Sequence, residues 1–183
     1  MEFIQTKLTG SFIIEPKILR DERGYFMESF NERLFQEGIG DRISFVQDNQ
    51  SASVKGVLRG LHYQTGAFSQ AKLVRVLKGE VLDVAVDIRP DSPTFGQHQA
   101  VLLSEDNQRQ FYIPKGFAHG FVVLSETAIF FYKCSDFYNR ESEGGILFND
   151  PALGIDWKLP EADFILSEKD RNLPLLSNAR PAW

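Results

Sequence analysis

Apolar side chains recur at every second position in short runs along most of this chain, which is the spacing of β-strands with one face turned to a core. In Val81 to Ile88, Leu82, Val84, Val86 and Ile88 alternate with Asp83, Ala85 and Asp87, the pattern of a half-buried strand. Lys72 to Leu77 reads as a strand just before it, and Lys78-Gly79-Glu80 reads as a tight turn, so the two are expected to form a hairpin. Similar runs cover Ser11 to Leu19, Gly24 to Phe30, Ser44 to Ser53, Val57 to Gln64, His98 to Leu103, Gln110 to Ile113, Phe121 to Leu124 and Thr127 to Phe137. Many short strands at turn-like spacing predict an all-β sandwich or barrel, whose paired or closed sheets hide their edges. Helical signals are few: Glu32 to Glu37, with Asn31 as N-cap and Gly38 as stop, and a second short helix after Ser167. That second start has Asp170 where a capping box carries Glu or Gln. No repeat, low-complexity tract or linker divides the 183 residues, so one domain over 1–183 is expected, and the 16 Phe and five Tyr give it a large aromatic core.

The charge balance excludes some classes of function. Twenty basic residues against 25 acidic ones leave a net charge of −5, and the basic residues are scattered, so no nucleic-acid footprint is present. No apolar run reaches the roughly 20 residues of a membrane helix, and Met1 opens onto charged, mixed sequence unlike a signal peptide. A cytoplasmic protein with no membrane partner is expected. The single cysteine, Cys134, suits a reducing compartment and cannot form an internal disulfide.

Of the three histidines, His62 and His119 lie in segments rich in glycine and proline, while His98 does not. The segments are Gly56-Val57-Leu58-Arg59-Gly60-Leu61-His62-Tyr63-Gln64 and Pro114-Lys115-Gly116-Phe117-Ala118-His119-Gly120-Phe121. Together they resemble the two motifs of the cupin superfamily, which implies a double-sheet jelly roll. Its core is expected over about 44–138, with N- and C-terminal extensions packed on it. The usual cupin metal site takes two histidines two residues apart, a nearby carboxylate and a further histidine. Here Gln64 stands at the second position and the next carboxylate after His62 is Glu80. Two imidazoles and an amide fall short of the roughly three to four ligands that a divalent ion needs. No metal and no cofactor are expected.

A narrower resemblance runs from Asp21 to Asp170. It is carried by Asp21-Glu22-Arg23-Gly24-Tyr25-Phe26, Gln47-Asp48-Asn49-Gln50-Ser51, Val57 to Gln64, Ala71 to Val76, Gly79 to Val81, Asp83 to Arg89, Tyr112-Ile113-Pro114, Gly116 to Phe121 and Tyr132. These stretches resemble the dTDP-4-dehydrorhamnose 3,5-epimerases of the cupin superfamily. The resemblance implies an isomerase that inverts C3 and C5 of a dTDP-4-keto-6-deoxyhexose through enolate intermediates.

The chemistry accounts for the residue types independently. A carbon bearing only hydrogen, hydroxyl and alkyl groups gives up its proton only when a neighbouring carbonyl makes it acidic, and a 4-keto sugar does this for both C3 and C5. Such an enzyme needs a base on one face, an acid on the other and a cation at the ketone oxygen. An imidazole suits the base, and the family pattern assigns that role to His62 with Asp170 behind it. Lys72 shares strand parity with Val74 and Val76, so it projects from their face and fits the enolate cation. Tyr132, whose phenol is protonated at neutral pH, fits the acid. On a continuous strand Tyr138 would share its side, and the resemblance implies that Tyr138 stacks on the thymine. Arg23 and Arg59 are implied for the diphosphate, where the guanidinium fork matches phosphate oxygens. Arg59 and His62 have opposite parity, so both face one cavity only if Gly60 forms a bulge. Glu28, Gln47, Asn49, His119, Glu143 and Lys169 are implied as further substrate ligands.

Three alternatives stay open on sequence alone: a single-centre epimerase or 3,4-ketoisomerase on a related dTDP-4-keto sugar, a cupin that binds nucleotide sugars without catalysis, and a metal-dependent cupin, which Gln64 disfavours. The resemblance also implies a homodimer, in which Arg23 and Glu28 serve either their own site or the partner's.

Overall fold

A computed structural model describes Met1–Trp183. In chain order it contains β1 (Glu2–Gln5), β2 (Phe12–Glu15), β3 (Ile18–Asp21), β4 (Gly24–Met27), α1 (Glu32–Ile39), β5 (Gln47–Val54), β6 (Leu58–Gln64), β7 (Lys72–Lys78), β8 (Glu80–Asp87), β9 (His98–Ser104), β10 (Gln110–Ile113), β11 (Phe117–Val123), β12 (Thr127–Cys134), β13 (Glu143–Gly145) and α2 (Glu168–Arg171). The strands form a six-stranded sheet ordered β1-β2-β10-β7-β12-β5, a five-stranded sheet ordered β13-β6-β11-β8-β9, and a separate β3-β4 hairpin. All ladders within them are antiparallel. From β5 to β12 the chain crosses repeatedly between the two larger sheets, which gives the all-β jelly roll that the cupin-like motifs imply.

The core between the sheets draws Val74 and Val76 from β7, Val81 and Ala85 from β8, Phe117 and Phe121 from β11 and Phe130 from β12. Outside the five-stranded sheet, Leu58, Leu61, Val84 and Val122 pack under the C-terminal residues Ile146, Phe148, Leu153 and Trp157. Outside the six-stranded sheet, Leu73 and Tyr112 pack with Phe35 of α1. Each large sheet is thus covered on both faces over its central strands.

That double cover corrects two sequence expectations. Strand β8 is buried on both sides, with Asp83 and Asp87 fully inaccessible, and is not half-buried. Buried carboxylates need partners, and Asp87 has Arg89, Ser92 and Thr94, at 2.6, 2.5 and 2.6 Å from Oδ2. The β7 to β8 segment is not a hairpin either. Gly79, at φ 77°, carries the chain from one sheet to the other, and β7 pairs instead with β10 and β12. A side chain at Gly79 would meet the Thr127 carbonyl oxygen.

Several boundaries also move. The run Ser11 to Leu19 breaks at Pro16, which has no N–H for a ladder, into β2 and β3. Helix α1 begins on Asn31, whose side chain accepts from the Leu34 N–H, but it passes through Gly38 and ends on Gly40 in the left-handed conformation. Gly38 sits against the Phe3 ring, leaving no space for a side chain. Strand β11 starts at Phe117, and β12 stops at Cys134, which leaves Tyr138 beyond the strand. The short strands β1 and β13 lie outside all the expected runs.

Candidate active site

Strand β6 departs from regular alternation where the site forms. His62 pairs with His119 and Arg59 with Phe121, so two residues of β6, Gly60 and Leu61, lie opposite the single residue Gly120. This is the bulge that the parity of Arg59 and His62 requires. Leu58 and Leu61 both join the outer core, while Arg59 and His62 both line the cavity between the sheets. Gly60 adopts φ 130°, and a Cβ there would stand 2.6 Å from Gly120 Cα. Glycine is therefore required by both conformation and space.

The cavity has a volume of about 570 Å³. His62 comes from the five-stranded sheet, and Lys72 and Tyr132 come from the six-stranded one. Lys72 lies on the face of Val74 and Val76, as parity predicts, with its Nζ 5.8 Å from the centre of the Tyr132 ring. Its ammonium makes no ion pair. Burial pulls the Lys72 pKa down, opposed by Cys134 and Asp83. Burial raises that of the Tyr132 phenol, which stays protonated and able to donate.

Behind His62, Nε2 lies 2.6 Å from Oδ1 of Asp170, which is buried. Asp170 is held by α2, a single turn capped by Ser167, whose Oγ accepts from the Asp170 N–H. Asp170 stands where a capping box would carry Glu or Gln, and its carboxylate turns instead to the imidazole. Burial opposes ionisation of Asp170, but the bonds and charge of His62, with help from Ser167, hold its carboxyl below the usual range.

A smaller adjoining recess of about 160 Å³ shares His62, Lys72, Tyr132 and Asn49 and adds Gln47, Tyr138 and Glu143. Gln47 and Asn49 face the same side of β5, with 3.1 Å between their amide groups. Tyr138 reaches the recess from the segment after β12, not along a continuous strand, and its N–H donates to Gln47 Oε1. Glu143 lies in β13 and accepts from Lys169 Nζ at 2.8 Å. Burial works against its charge, but Lys169 holds its carboxyl below the ordinary value. Arg59, His119 and Lys169 line the larger cavity.

Arg23 and Glu28 lie elsewhere. Arg23 is exposed at the β3-β4 turn, 2.5 Å from Asp21, and Glu28 accepts from Asn31 just after that hairpin. Gln64, at the cupin metal position, spends its amide on the backbone of Phe68, Phe137 and Asn139. With Gln64 so engaged and both site histidines bound to carboxylates, the side chains do not fit a cupin metal. Sequence reading missed Gln50, Ser51, Ile165 and Leu166, which also line the cavity, and Asp83, which bonds His119. The last two cavity residues sit in an irregular segment with no strand periodicity. Asp83 was hidden by alternation that placed it on a solvent face.

Residues 5–178 match the family model described as dTDP-4-dehydrorhamnose 3,5-epimerase. The chain belongs to this family. It is 56% identical to the dTDP-4-dehydrorhamnose 3,5-epimerase of Salmonella typhimurium, over 98% of this chain and 97% of the relative. The crystal structure of the dTDP-4-dehydrorhamnose 3,5-epimerase from Elizabethkingia anophelis superposes with a TM-score of 0.95, at 58% identity over 97% of both chains. The dTDP-6-deoxy-D-glucose-3,5-epimerase of Legionella pneumophila, solved in complex with dTDP-4-keto-L-rhamnose, superposes with a TM-score of 0.93. It is 57% identical, over 97% of this chain and 93% of that one. Membership in the epimerase family agrees with a cavity in which an imidazole–carboxylate pair faces a lysine and a tyrosine across two sheets.

Proposed function

We propose that this chain inverts C3 and C5 of dTDP-4-dehydro-6-deoxy-D-glucose to give dTDP-4-dehydro-L-rhamnose, the isomerase step of dTDP-L-rhamnose biosynthesis. The observation that carries this reading is the opposition of His62, backed by Asp170, to Lys72 and Tyr132 on the facing sheet.

The C4 ketone acidifies the hydrogens on C3 and C5. His62 accepts the proton from carbon, and Asp170 orients the ring and stabilises the imidazolium. Electron density moves to O4, where the Lys72 ammonium balances the enolate charge. Tyr132 returns a proton from the other side, so the carbon inverts. His62 then loses its proton and Tyr132 regains one, which completes one inversion and readies the site for the other carbon. Arg59 and Lys169 supply positive charge for the diphosphate, and Tyr138 a stacking face for the base. Gln47, Asn49 and Glu143 offer hydrogen bonds to nucleotide and sugar.

The working unit is a homodimer. The β3-β4 hairpin pairs with neither large sheet and leaves Leu19, Tyr25 and Phe26 exposed, Phe26 at 70%. It carries Arg23, with Glu28 just beyond it, and seating it on a second copy would bury those apolar groups and bring both polar residues to the partner's cavity. Residues 1–183 act as one domain in the cytoplasm. No helix is long and apolar enough to cross a membrane.

Incubation with dTDP-4-dehydro-6-deoxy-D-glucose and a 4-ketone reductase tests the assignment. NMR of the trapped product should show the L-rhamno configuration. Inversion at one carbon only would make this a single-centre epimerase, and recovery of the original configuration a binding protein.

A further inference from the structure

A second imidazole–carboxylate pair lies beside the first. His119 Nε2 is 2.8 Å from Oδ2 of Asp83, and both side chains are buried. His119 lines the cavity and is the cross-strand partner of His62. Asp83 lies deeper, on the inward side of β8 among Val81, Ala85 and Phe121. Its Oδ1 has no hydrogen-bond partner although it is sealed from solvent. A buried carboxylate with an unpartnered oxygen, in the middle of a strand that could hold an apolar residue, costs stability. Nothing in the packing requires it there, so a role in the site is the physical reason to look for.

Asp83 can act on two cavity groups. Acting on the ring, an ionised Asp83 accepts from Nε2–H, which leaves Nδ1 of a neutral imidazole as an acceptor. Nδ1 makes no other bond within the protein. Acting on the lysine, Asp83 shares the inner face of β8 with Val81 and Ala85, which pack against Val74 and Val76 on the face of β7 that carries Lys72, and from there its charge opposes the loss of the Lys72 proton. The titratable and charged groups that share a cavity with Lys72 or face it are Cys134 and Tyr132 on β12, Asp83 on β8, His119 on β11, Arg59 and His62 on β6, Glu143 on β13, Lys169 and Asp170 on α2, and Tyr138. Burial pushes the Asp83 carboxyl up, opposed by His119 and Lys72, and pushes the His119 imidazole down.

We propose that Asp83 is a positioning residue: it fixes His119 with its proton on Nε2, so that Nδ1 faces substrate as an acceptor for a sugar hydroxyl, and it sets its negative charge behind Lys72. At the sugar, Lys72 then supplies the cation for the enolate oxygen and His119 a neutral acceptor, which cannot compete for that oxygen. This deepens the epimerase reading and rests on it.

The first test needs no variant and no turnover. In the wild-type enzyme labelled with 15N-histidine, two-bond 1H–15N spectra at neutral pH should show His119 as the Nε2–H tautomer. The Nδ1–H tautomer would mean that Asp83 carries the proton and donates, which overturns the proposal. The second test is Asp83→Asn, which keeps the side-chain volume. With dTDP-4-keto sugar, kcat is expected to fall at least tenfold while KM changes little, and the alkaline limb of the kcat profile to move to lower pH because Lys72 has lost its counter-charge. A folded variant with wild-type kcat and an unmoved alkaline limb would also overturn it. If the wild type leaves the sugar unchanged, the epimerase reading fails instead, and the tautomer result distinguishes the two failures.

Discussion

At the scale of single residues, the site depends on partners that fix a proton or a charge. His62 touches Asp170 at 2.6 Å and otherwise lines the cavity, so in the proposed mechanism it acts on substrate and its side chain bears little of the fold. His62→Ala should therefore lower turnover at least about 100-fold with dTDP affinity, measured by calorimetry, changed only a few-fold. An equal loss of affinity would make His62 a ligand and not the base. Asp87 presents the opposite case, since its partners Arg89, Ser92 and Thr94 belong to no cavity wall of the site. Asp87→Asn should cost about 3 kcal/mol in urea unfolding by breaking a buried pair, without altering kcat. Burial works against the Asp87 charge, but Arg89, Ser92 and Thr94 hold its carboxyl below the usual value. A depressed folded value means that the stabilisation is complete above the ordinary carboxylate pKa of about 3.9 and fades as pH falls below it. The gap between wild-type and Asp87→Asn urea midpoints should be full at neutral pH and narrow in strong acid. A gap constant with pH would refute the ionised pair.

At the scale of elements, the β6 bulge does the positioning. Gly60→Ala adds a methyl within 2.6 Å of the Gly120 backbone at φ 130°. Strain of this kind costs about 1–3 kcal/mol, and the clash adds to it. The melting temperature should fall, and kcat with it, because Arg59 and His62 can no longer share one side; unchanged melting and activity would show the bulge to be dispensable. The bulge was legible in the sequence, since Arg59 and His62 have opposite parity and a glycine lies between them. Lys72 and Tyr132 were legible for the same reason, as both keep step with Val74, Val76 and Phe130 on regular strands. Parity failed where the strand itself ended, at Cys134 before Tyr138, because nothing local marks the last ladder bond. It failed again at Asp83 and Asp87, since alternation cannot say whether the second face meets water or another layer. The exchange at Gly79 looked like a hairpin because a turn's residues do not reveal to which sheet the chain departs.

At the scale of the whole molecule, the two sheets set His62 and Tyr132, the proposed base and acid, on opposite walls, and in the proposed dimer a second copy would complete the cation set for the diphosphate. If the hairpin serves the partner's site, mixing His62→Ala with Arg23→Ala should regain activity that neither has alone, because one site of each mixed dimer holds a native His62 and a native Arg23. Absence of recovery after subunit exchange would assign Arg23 to its own subunit, or to no site. The opposition of the walls is tested most directly by Tyr132→Phe in deuterium oxide, followed at C3 and C5 by NMR. With His62 intact and the facing acid removed, deuterium should enter at these carbons while the original configuration is retained, and inversion should slow by at least about 100-fold. Inverted product formed at the wild-type rate would contradict the assignment of base and acid to opposite sheets.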